Sequence, residues 1–153
     1  MTDSTHPGGR YFEEFEIGDT VETTSRTVTE SDVVQFAGLS GDYNRLHSDA
    51  EYAKNTMFGE RIAHGLLGLS IVSGLSSRLG FAEDTVEAFT ALDWKFRSPI
   101  RFGDTIRARL EVTRKKKMDR LGGGFVVFDV VVLNQNDETV QKGSWTLLIK
   151  GDP

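Results

Sequence analysis

The chain contains no cysteine, which excludes disulfides, thiolate catalysis and cysteine-ligated metal sites. It has only three histidines, so no metal site is expected. Acidic residues outnumber basic ones by 23 to 18, and the net charge of -5 argues against a general nucleic-acid or anionic-membrane binder. The longest apolar run falls short of the roughly 20 residues that a membrane-spanning helix needs.

With 153 residues, of which 38% are hydrophobic, the chain is long enough for one domain with a substantial core. We expect residues 1–10 to form a disordered lead-in and residues 11–150 to form the domain. The N-terminus, MTDSTHPGGR, lacks an apolar core followed by a small-residue cleavage site. A cytoplasmic location is therefore expected.

The C-terminal half predicts four β-strands separated by turn signals, at roughly Val86–Arg97, Thr105–Lys115, Phe125–Leu133 and Thr139–Lys150. The second strand alternates clearly, with Ile106, Ala108, Leu110 and Val112 on one face. Short connections favour an antiparallel meander, because parallel crossovers need a dozen or more residues. Trp94 and Trp145 are expected to pack in the core.

Two helices are predicted upstream of these strands. A capping-box-like pattern at Thr29-Glu-Ser-Asp32 predicts a short helix that stops at Gly38. Gly65–Leu79 is the more informative segment, because apolar side chains occupy almost every angular position and no charge interrupts it up to Ser77. This pattern predicts a central helix buried on most sides. The expected fold is therefore α+β, with a curved antiparallel sheet wrapped around the central helix.

The loop GLSGDYNRLHSD, from Gly38 to Asp49, contains the candidate chemistry. Asp42 and His47 could exchange protons with one water molecule, which is general acid–base catalysis. The same spacing also describes a polar loop whose side chains cap backbone amides, so the loop alone leaves both interpretations open.

The segment Ile62-Ala-His-Gly65 begins the central helix, where backbone N–H groups are free and the helix dipole is positive. Such amides could stabilise a developing enolate. An acid–base pair beside these amides is suited to adding water across a double bond conjugated to a carbonyl, or to removing it. His64 could contact the substrate, but a structural hydrogen bond is the favoured interpretation.

The motifs FAGLSGDYNRLH, ending at His47, and FGERIAHG, ending at Gly65, together resemble the MaoC-like dehydratases and (R)-specific enoyl-CoA hydratases of the hot-dog fold. The resemblance implies that Asp42 and His47 are the catalytic pair and that the Gly65 amide holds the thioester oxygen. It further implies that Asn44 orients the loop.

The resemblance also implies the reaction, which is reversible hydration of a trans-2-enoyl-CoA to a (3R)-3-hydroxyacyl-CoA. Coenzyme A enters as part of the substrate, and no separate cofactor is implied. The family generally forms homodimers, so a homodimer or a multiple of dimers is expected. Arg45 stands where the family usually has proline, and we expect it to be exposed rather than to face the acyl group.

Two alternative functions are also compatible with the sequence. A hot-dog thioesterase would share the fold but would attack the carbonyl and release a thiol. A non-catalytic acyl-CoA-binding subunit of a dehydratase would keep the amide site without needing both Asp42 and His47. Release of a free thiol distinguishes the first alternative, and the absence of any reaction distinguishes the second.

Overall fold

The computed structural model describes residues 8–153, which form a curved antiparallel sheet packed on one long helix. The strands are β1 (Thr20–Glu22), β2 (Arg26–Thr27), β3 (Val86–Phe96), β4 (Thr105–Met118), β5 (Gly123–Leu133) and β6 (Thr139–Lys150). Their order across the sheet is β1-β4-β5-β6-β3, and β2 also pairs with β4. The helices are α1 (Glu30–Ser40), α2 (Arg45–Ser48), α3 (Ala50–Ala53) and α4 (Gly65–Ser77). The expected hot-dog architecture is confirmed.

The alternation predicted for the second of the four strands is also confirmed. The four apolar residues of β4 are at most 1% exposed: Ile106, Ala108, Leu110 and Val112. They join buried residues of β5, β6 and α4 in one hydrophobic cluster. Because strand side chains alternate between the two faces of a sheet, one face of β4 lies in the core and the other faces outward.

The predicted meander is only partly right. Strands β4, β5 and β6 do pair in sequence order, but β3 pairs with β6 rather than with its sequence neighbour β4. The segment 97–104 crosses the end of the sheet, since the N–H groups of Arg97 and Ser98 donate to Val140 and that of Gly103 donates to Val28. A connection of this length can therefore span a curved sheet as well as join neighbouring strands.

The central helix α4 is present as predicted, although it is less enclosed than its composition indicated. Its buried side faces the sheet through Leu67, Gly68, Ile71, Val72, Leu75 and Ser76. The opposite side is exposed and bears mainly small residues, except that Leu66 is 59% exposed. The single sheet covers only one side of the helix. The prediction of burial on most sides, which rested on the lack of charged residues, therefore overestimated how much of the helix one chain buries.

The first helix ends later than predicted. Helix α1 continues through Gly38 and stops at Gly41, which adopts a left-handed φ of 78° and donates its N–H to Ala37. The capping box at Thr29 and Asp32 is present as predicted. The predicted lead-in mostly lies outside the described residues. Its last residue, Arg10, is buried and forms an ion pair with Asp19, so ordered structure begins before residue 11.

Within residues 8–153, no helix combines the length and the apolar character needed to cross a membrane. The expected cytoplasmic location stays a prediction.

Candidate active site

One helix end and two helix caps give the loop between α1 and α4 its shape. Gly41 ends α1, and the Asn44 side chain then accepts a hydrogen bond from the Leu46 N–H at 2.9 Å, which caps α2. Asp49 caps α3 in the same way by accepting from the Tyr52 N–H at 2.9 Å. The capping interpretation of the polar loop is therefore correct for Asn44 and Asp49, whose side-chain oxygens satisfy free helical N–H groups. It also applies to Asp42, whose carboxylate accepts the Asn44 N–H at 3.1 Å.

Three hydrogen bonds join this loop to the segment that precedes α4. The His47 Nδ1 donates to the Ile62 carbonyl at 2.7 Å, and the Ile62 N–H donates to the Leu46 carbonyl at 3.1 Å. The His64 Nε2 donates to the Asp42 carbonyl at 2.8 Å. The structure thereby brings together Asp42, His47 and the start of α4, as the motifs predicted.

The backbone also determines which ring nitrogen of His47 is available for chemistry. A carbonyl oxygen only accepts hydrogen bonds, so the His47 Nδ1 must carry the hydrogen that it donates to Ile62. In the neutral ring, Nε2 is then unprotonated and can accept a proton. The Asp42 carboxylate is exposed, and one of its oxygens lies within 4.8 Å of a ring nitrogen of His47. One water molecule could contact both groups.

His64 is almost fully enclosed, with 2% of its surface exposed. Its ring stacks on His47 with the ring centroids 3.8 Å apart, and the edge-on ring of Phe36 contacts it at 4.9 Å. Because Nε2 donates to Asp42, Nδ1 is the unprotonated nitrogen of the neutral ring, and it has no hydrogen-bond partner among the described residues. The structural hydrogen bond favoured from the sequence is present.

Gly65 is the first residue of α4, and its N–H donates to no other group within residues 8–153. Its missing side chain leaves room for the ring of Phe96, since a Cβ there would lie 2.7 Å from two ring carbons. A mainly apolar cleft of about 400 Å³ lies beside Gly65 and is bordered by Phe58, Leu66 and Phe96. Gly65 lines this cleft, whereas Asp42 and His47 do not, so its N–H is a candidate donor to a carbonyl oxygen bound there.

Among the described residues, one group could offer donor atoms to a metal ion: Asp42, His47 and His64. The imidazole rings of this group fit such an ion poorly. They lie nearly parallel, at an interplanar angle of 26°, and one nitrogen of each is bonded to a backbone carbonyl. A metal-bound imidazole directs its lone pair in the ring plane, and stacked rings do not direct two lone pairs at one point. The expected absence of a metal stays a prediction, and this geometry favours it.

Sequence reasoning missed Gln141, a residue of β6 that is 1% exposed. Its Nε2 donates to the Gly65 carbonyl at 3.0 Å, and its Oε1 accepts from the Trp94 indole at 3.1 Å. The sequence of β6 could have identified it, because side chains alternate along a strand and Gln141 faces the same buried side as Trp145 and Leu147. A glutamine at an inward position of a strand requires hydrogen-bond partners.

The sequence also matches a known family over most of its length. The model of the MaoC like domain matches residues 13–131, which contain the loop, the start of α4, the first four strands and most of β5. The chain belongs to this MaoC-like family. The resemblance seen in the two motifs is thus confirmed.

Relatives of the chain include named hydratases and dehydratases. The chain is 38% identical over 104 residues to an (R)-specific enoyl-CoA hydratase of Rhodospirillum rubrum, covering 67% of this chain and 69% of that protein. It is 36% identical over 128 residues to a 3-hydroxybutyryl-CoA dehydratase of Methylorubrum extorquens, covering 81% and 79%. It is 40% identical over 113 residues to Protein MaoC of Klebsiella aerogenes, covering 74% of this chain but only 33% of that longer protein.

Solved structures of MaoC-like proteins share the fold. One of them, described as a monoamine oxidase regulatory protein from Archaeoglobus fulgius, superposes with a TM-score of 0.89 at 39% identity. The alignment covers 95% of this chain and 97% of that one. Together with the family match, the named hydratase and dehydratase relatives support a hydratase or dehydratase activity for this chain.

Proposed function

We propose that this MaoC-like protein catalyses the reversible syn addition of water to a trans-2-enoyl-CoA, giving a (3R)-3-hydroxyacyl-CoA. One observation carries the proposal. An oxygen of the Asp42 carboxylate lies within 4.8 Å of a ring nitrogen of His47, and His47 is hydrogen-bonded to Ile62, three residues before Gly65. Such a site can activate water and stabilise the negative charge that forms on a thioester oxygen.

Each of these groups has its own part in the reaction. Asp42 and His47 hold the water, and one of them takes a proton as the water oxygen forms a bond to C3. The electrons of the double bond move toward the thioester carbonyl, where the Gly65 N–H stabilises the enolate oxygen. The proton then passes to C2. Because water and proton arrive from the same side, the addition is syn, and dehydration follows the same path in reverse.

We also propose a homodimer that forms through β3. This strand pairs with β6 on one side and with no described strand on the other. Its apolar side chains Phe89, Leu92 and Phe96 are 47–55% exposed, although they face the same side of the sheet as the core residues of β6. An exposed, apolar edge strand is a ready partner for a second copy. Such pairing would lie close to the site, because Phe96 contacts Gly65.

An assay on a panel of enoyl-CoA esters of different lengths tests the reaction. We expect loss of the conjugated thioester absorbance without release of free thiol, and chiral analysis should identify the product as the (3R)-hydroxyacyl-CoA. Thiol release in step with substrate loss would instead identify a thioesterase. If the protein binds the esters but neither signal appears, it is a non-catalytic acyl-CoA-binding protein.

The dimer is tested by measuring the mass in solution of the wild type and of Leu92→Lys. We expect a dimer or a multiple of one for the wild type and a shift toward monomer for the variant, since a charge on the edge strand opposes pairing. Glu111→Gln changes the net charge by the same +1 at an exposed position of β4, away from this edge, and should keep the wild-type mass. A monomeric wild type would refute the proposed assembly.

A further inference from the structure

Gln141 is a buried carboxamide with both of its ends satisfied. A tryptophan N–H only donates and a backbone carbonyl only accepts, so one orientation of the amide serves both Trp94 and Gly65. In that orientation Oε1 faces the indole and Nε2 faces the Gly65 carbonyl. Because an unpaired polar group costs free energy when it is buried, the carboxamide is held firmly in this position.

Helix α4 is shaped to receive this side chain one turn beyond its start. Gly68 has no Cβ, and a Cβ there would lie 2.6 Å from the Gln141 Nε2 and 2.5 Å from the Cδ1 of Ile100. The helix can approach β6 closely only because this position is glycine. Gln141 therefore lies in a slot in the helix surface rather than in a loose cavity.

Backbone hydrogen bonds from Ile62 to Leu46 and from Ala63 to Ile100 restrain the segment before α4, but few side chains restrain the first turn of the helix itself. His64 is the N-cap residue, but its side chain makes no capping hydrogen bond to the helix because it is directed to Asp42. The next residue is a glycine, whose backbone has more conformational freedom than that of any other residue. The hydrogen bond from Gln141 to the Gly65 carbonyl supplies a restraint from the sheet at this point.

We propose that Gln141 is a positioning residue that keeps the Gly65 N–H directed at the thioester oxygen. The inference rests on the hydration proposed above. Gln141 acts through the Gly65 carbonyl, which it holds against β6 together with the first turn of α4. The Gly65 N–H lies in the preceding peptide plane, whose His64 carbonyl accepts from the Leu67 and Gly68 N–H groups of the same turn. A shift of this turn would therefore move the N–H relative to the cleft. Trp94 acts indirectly, through Gln141, because its indole N–H holds the Gln141 carboxamide in the required orientation.

Two substitutions at this pair test the proposal. Gln141→Met keeps the length of the side chain but neither donates to Gly65 nor accepts from Trp94. We expect kcat to fall about tenfold to hundredfold with little change in KM, less than the roughly 10²–10³-fold cost of removing an oxyanion donor outright. Trp94→Phe should lower kcat by a smaller factor. The double variant should be no worse than Gln141→Met alone, because the two residues act in series.

A second readout separates positioning from general destabilisation. Val126→Ala removes buried volume from β5 without touching Gln141, Trp94 or Gly65, and it serves as the matched control. In NMR spectra, we expect the Gly65 amide resonance to shift and broaden in Gln141→Met relative to the wild type, but to be unchanged in Val126→Ala. For a conjugated dienoyl-CoA bound to the Asp42→Asn protein, the red shift of its absorbance should shrink when Gln141→Met is added.

The outcomes are distinguishable. A wild-type protein that hydrates no enoyl-CoA refutes the proposed function, and the positioning role is refuted with it. If the wild type is active but Gln141→Met retains its kcat or its wild-type Gly65 amide resonance, the hydration stands and the role of Gln141 is refuted. Equal losses of kcat in Gln141→Met and in a Val126→Ala control of similar stability would also refute it.

Discussion

The imidazole rings of His47 and His64 stack face to face, with centroids 3.8 Å apart, and each is held by a backbone carbonyl of the segment that contains the other. His47 donates to Ile62, and His64 donates to Asp42. This reciprocal arrangement fixes the orientation of both rings before any substrate binds. The His47 nitrogen proposed to exchange protons with water therefore needs no reorganisation on substrate binding.

His64→Phe tests the contribution of this arrangement. Phenylalanine keeps an aromatic ring between His47 and Phe36 but cannot donate to the Asp42 carbonyl. Since the net value of such a hydrogen bond is about 1 kcal/mol, we expect kcat to fall about fivefold. The melting temperature should change little, because the substitution also removes a buried nitrogen that lacks a partner among the described residues. An unchanged kcat would show that Asp42 is held well enough by its other contacts.

The catalytic pair is tested by Asp42→Asn and His47→Ala, each of which should lower turnover by about 10²–10⁴-fold. Asp42→Asn can still accept the hydrogen bond from the Asn44 N–H, so the loop should keep its shape. His47→Asn is the matched variant for the second position, because its amide can donate to the Ile62 carbonyl but provides no base at Nε2. Turnover close to that of the wild type in either Asp42→Asn or His47→Asn would refute the assigned role, and circular dichroism checks that the fold is intact.

The candidate residues Asp42, His47 and Gly65 were predictable from sequence, whereas Gln141 and the hydrogen bonds that join these residues were not. Local patterns identify the helix that begins at Gly65 and the loop that contains Asp42 and His47, because both depend on neighbouring residues. The bond from Gln141 to Gly65 joins groups 76 positions apart, and the pairing of β3 with β6 likewise depends on how the sheet closes. Such long-range contacts follow from tertiary packing, which periodicity within one segment does not encode.

Two glycines of α4 should respond oppositely to alanine. Gly68→Ala would place a Cβ against the buried side chains of Ile100 and Gln141, and overpacking of this kind costs about 1–3 kcal/mol. Gly74→Ala meets nothing within 4 Å among the described residues and should stabilise the helix by up to about 1 kcal/mol. Urea unfolding measures both free energies. If Gly74→Ala is instead less stable than the wild type, and the difference disappears when the protein is diluted, another subunit packs against this face of α4.

The ion pair at Asp49 gives a pH-dependent contribution to stability. The hydrogen bond from the Tyr52 N–H, followed by the one from Arg45, lowers the pKa of Asp49 below its ordinary value of 3.8. A carboxyl group whose pKa is lower in the folded state stabilises the fold above its unfolded-state pKa, and this contribution is lost as pH falls through the folded-state value.

Asp49→Asn should remove this dependence, because asparagine can still cap α3 but does not titrate. We expect the wild type to be more stable than Asp49→Asn near neutral pH, and the difference to shrink as the pH falls below about 4. Urea unfolding of both proteins at several pH values measures it. A difference that stays constant down to the acid limit would show that the charge of Asp49 contributes nothing to the fold.

Arg45 is exposed, as expected, and its guanidinium is occupied by local contacts rather than directed at the site. It donates twice to Asp49, at 3.0 and 3.1 Å, and lies 4.2 Å from the centre of the Tyr52 ring. As the first residue of α2, it occupies the position in a helix where proline is best tolerated. The preceding residue, Asn44, has φ -52° and ψ 138°, which is compatible with a following proline.

Arg45→Pro should therefore fold normally and keep its substrate preference. Losing the exposed contacts with Asp49 and Tyr52 costs little, since surface ion pairs contribute at most about 1 kcal/mol, and the stiffer turn offsets part of that cost. We expect the ranking of neutral and carboxylated enoyl-CoA esters to be unchanged, with at most a modest shift in kcat. Arg45→Ala separates the lost guanidinium from the added proline ring. A loss of activity confined to carboxylated esters, and common to both variants, would show instead that the guanidinium turns from Asp49 to bind the substrate.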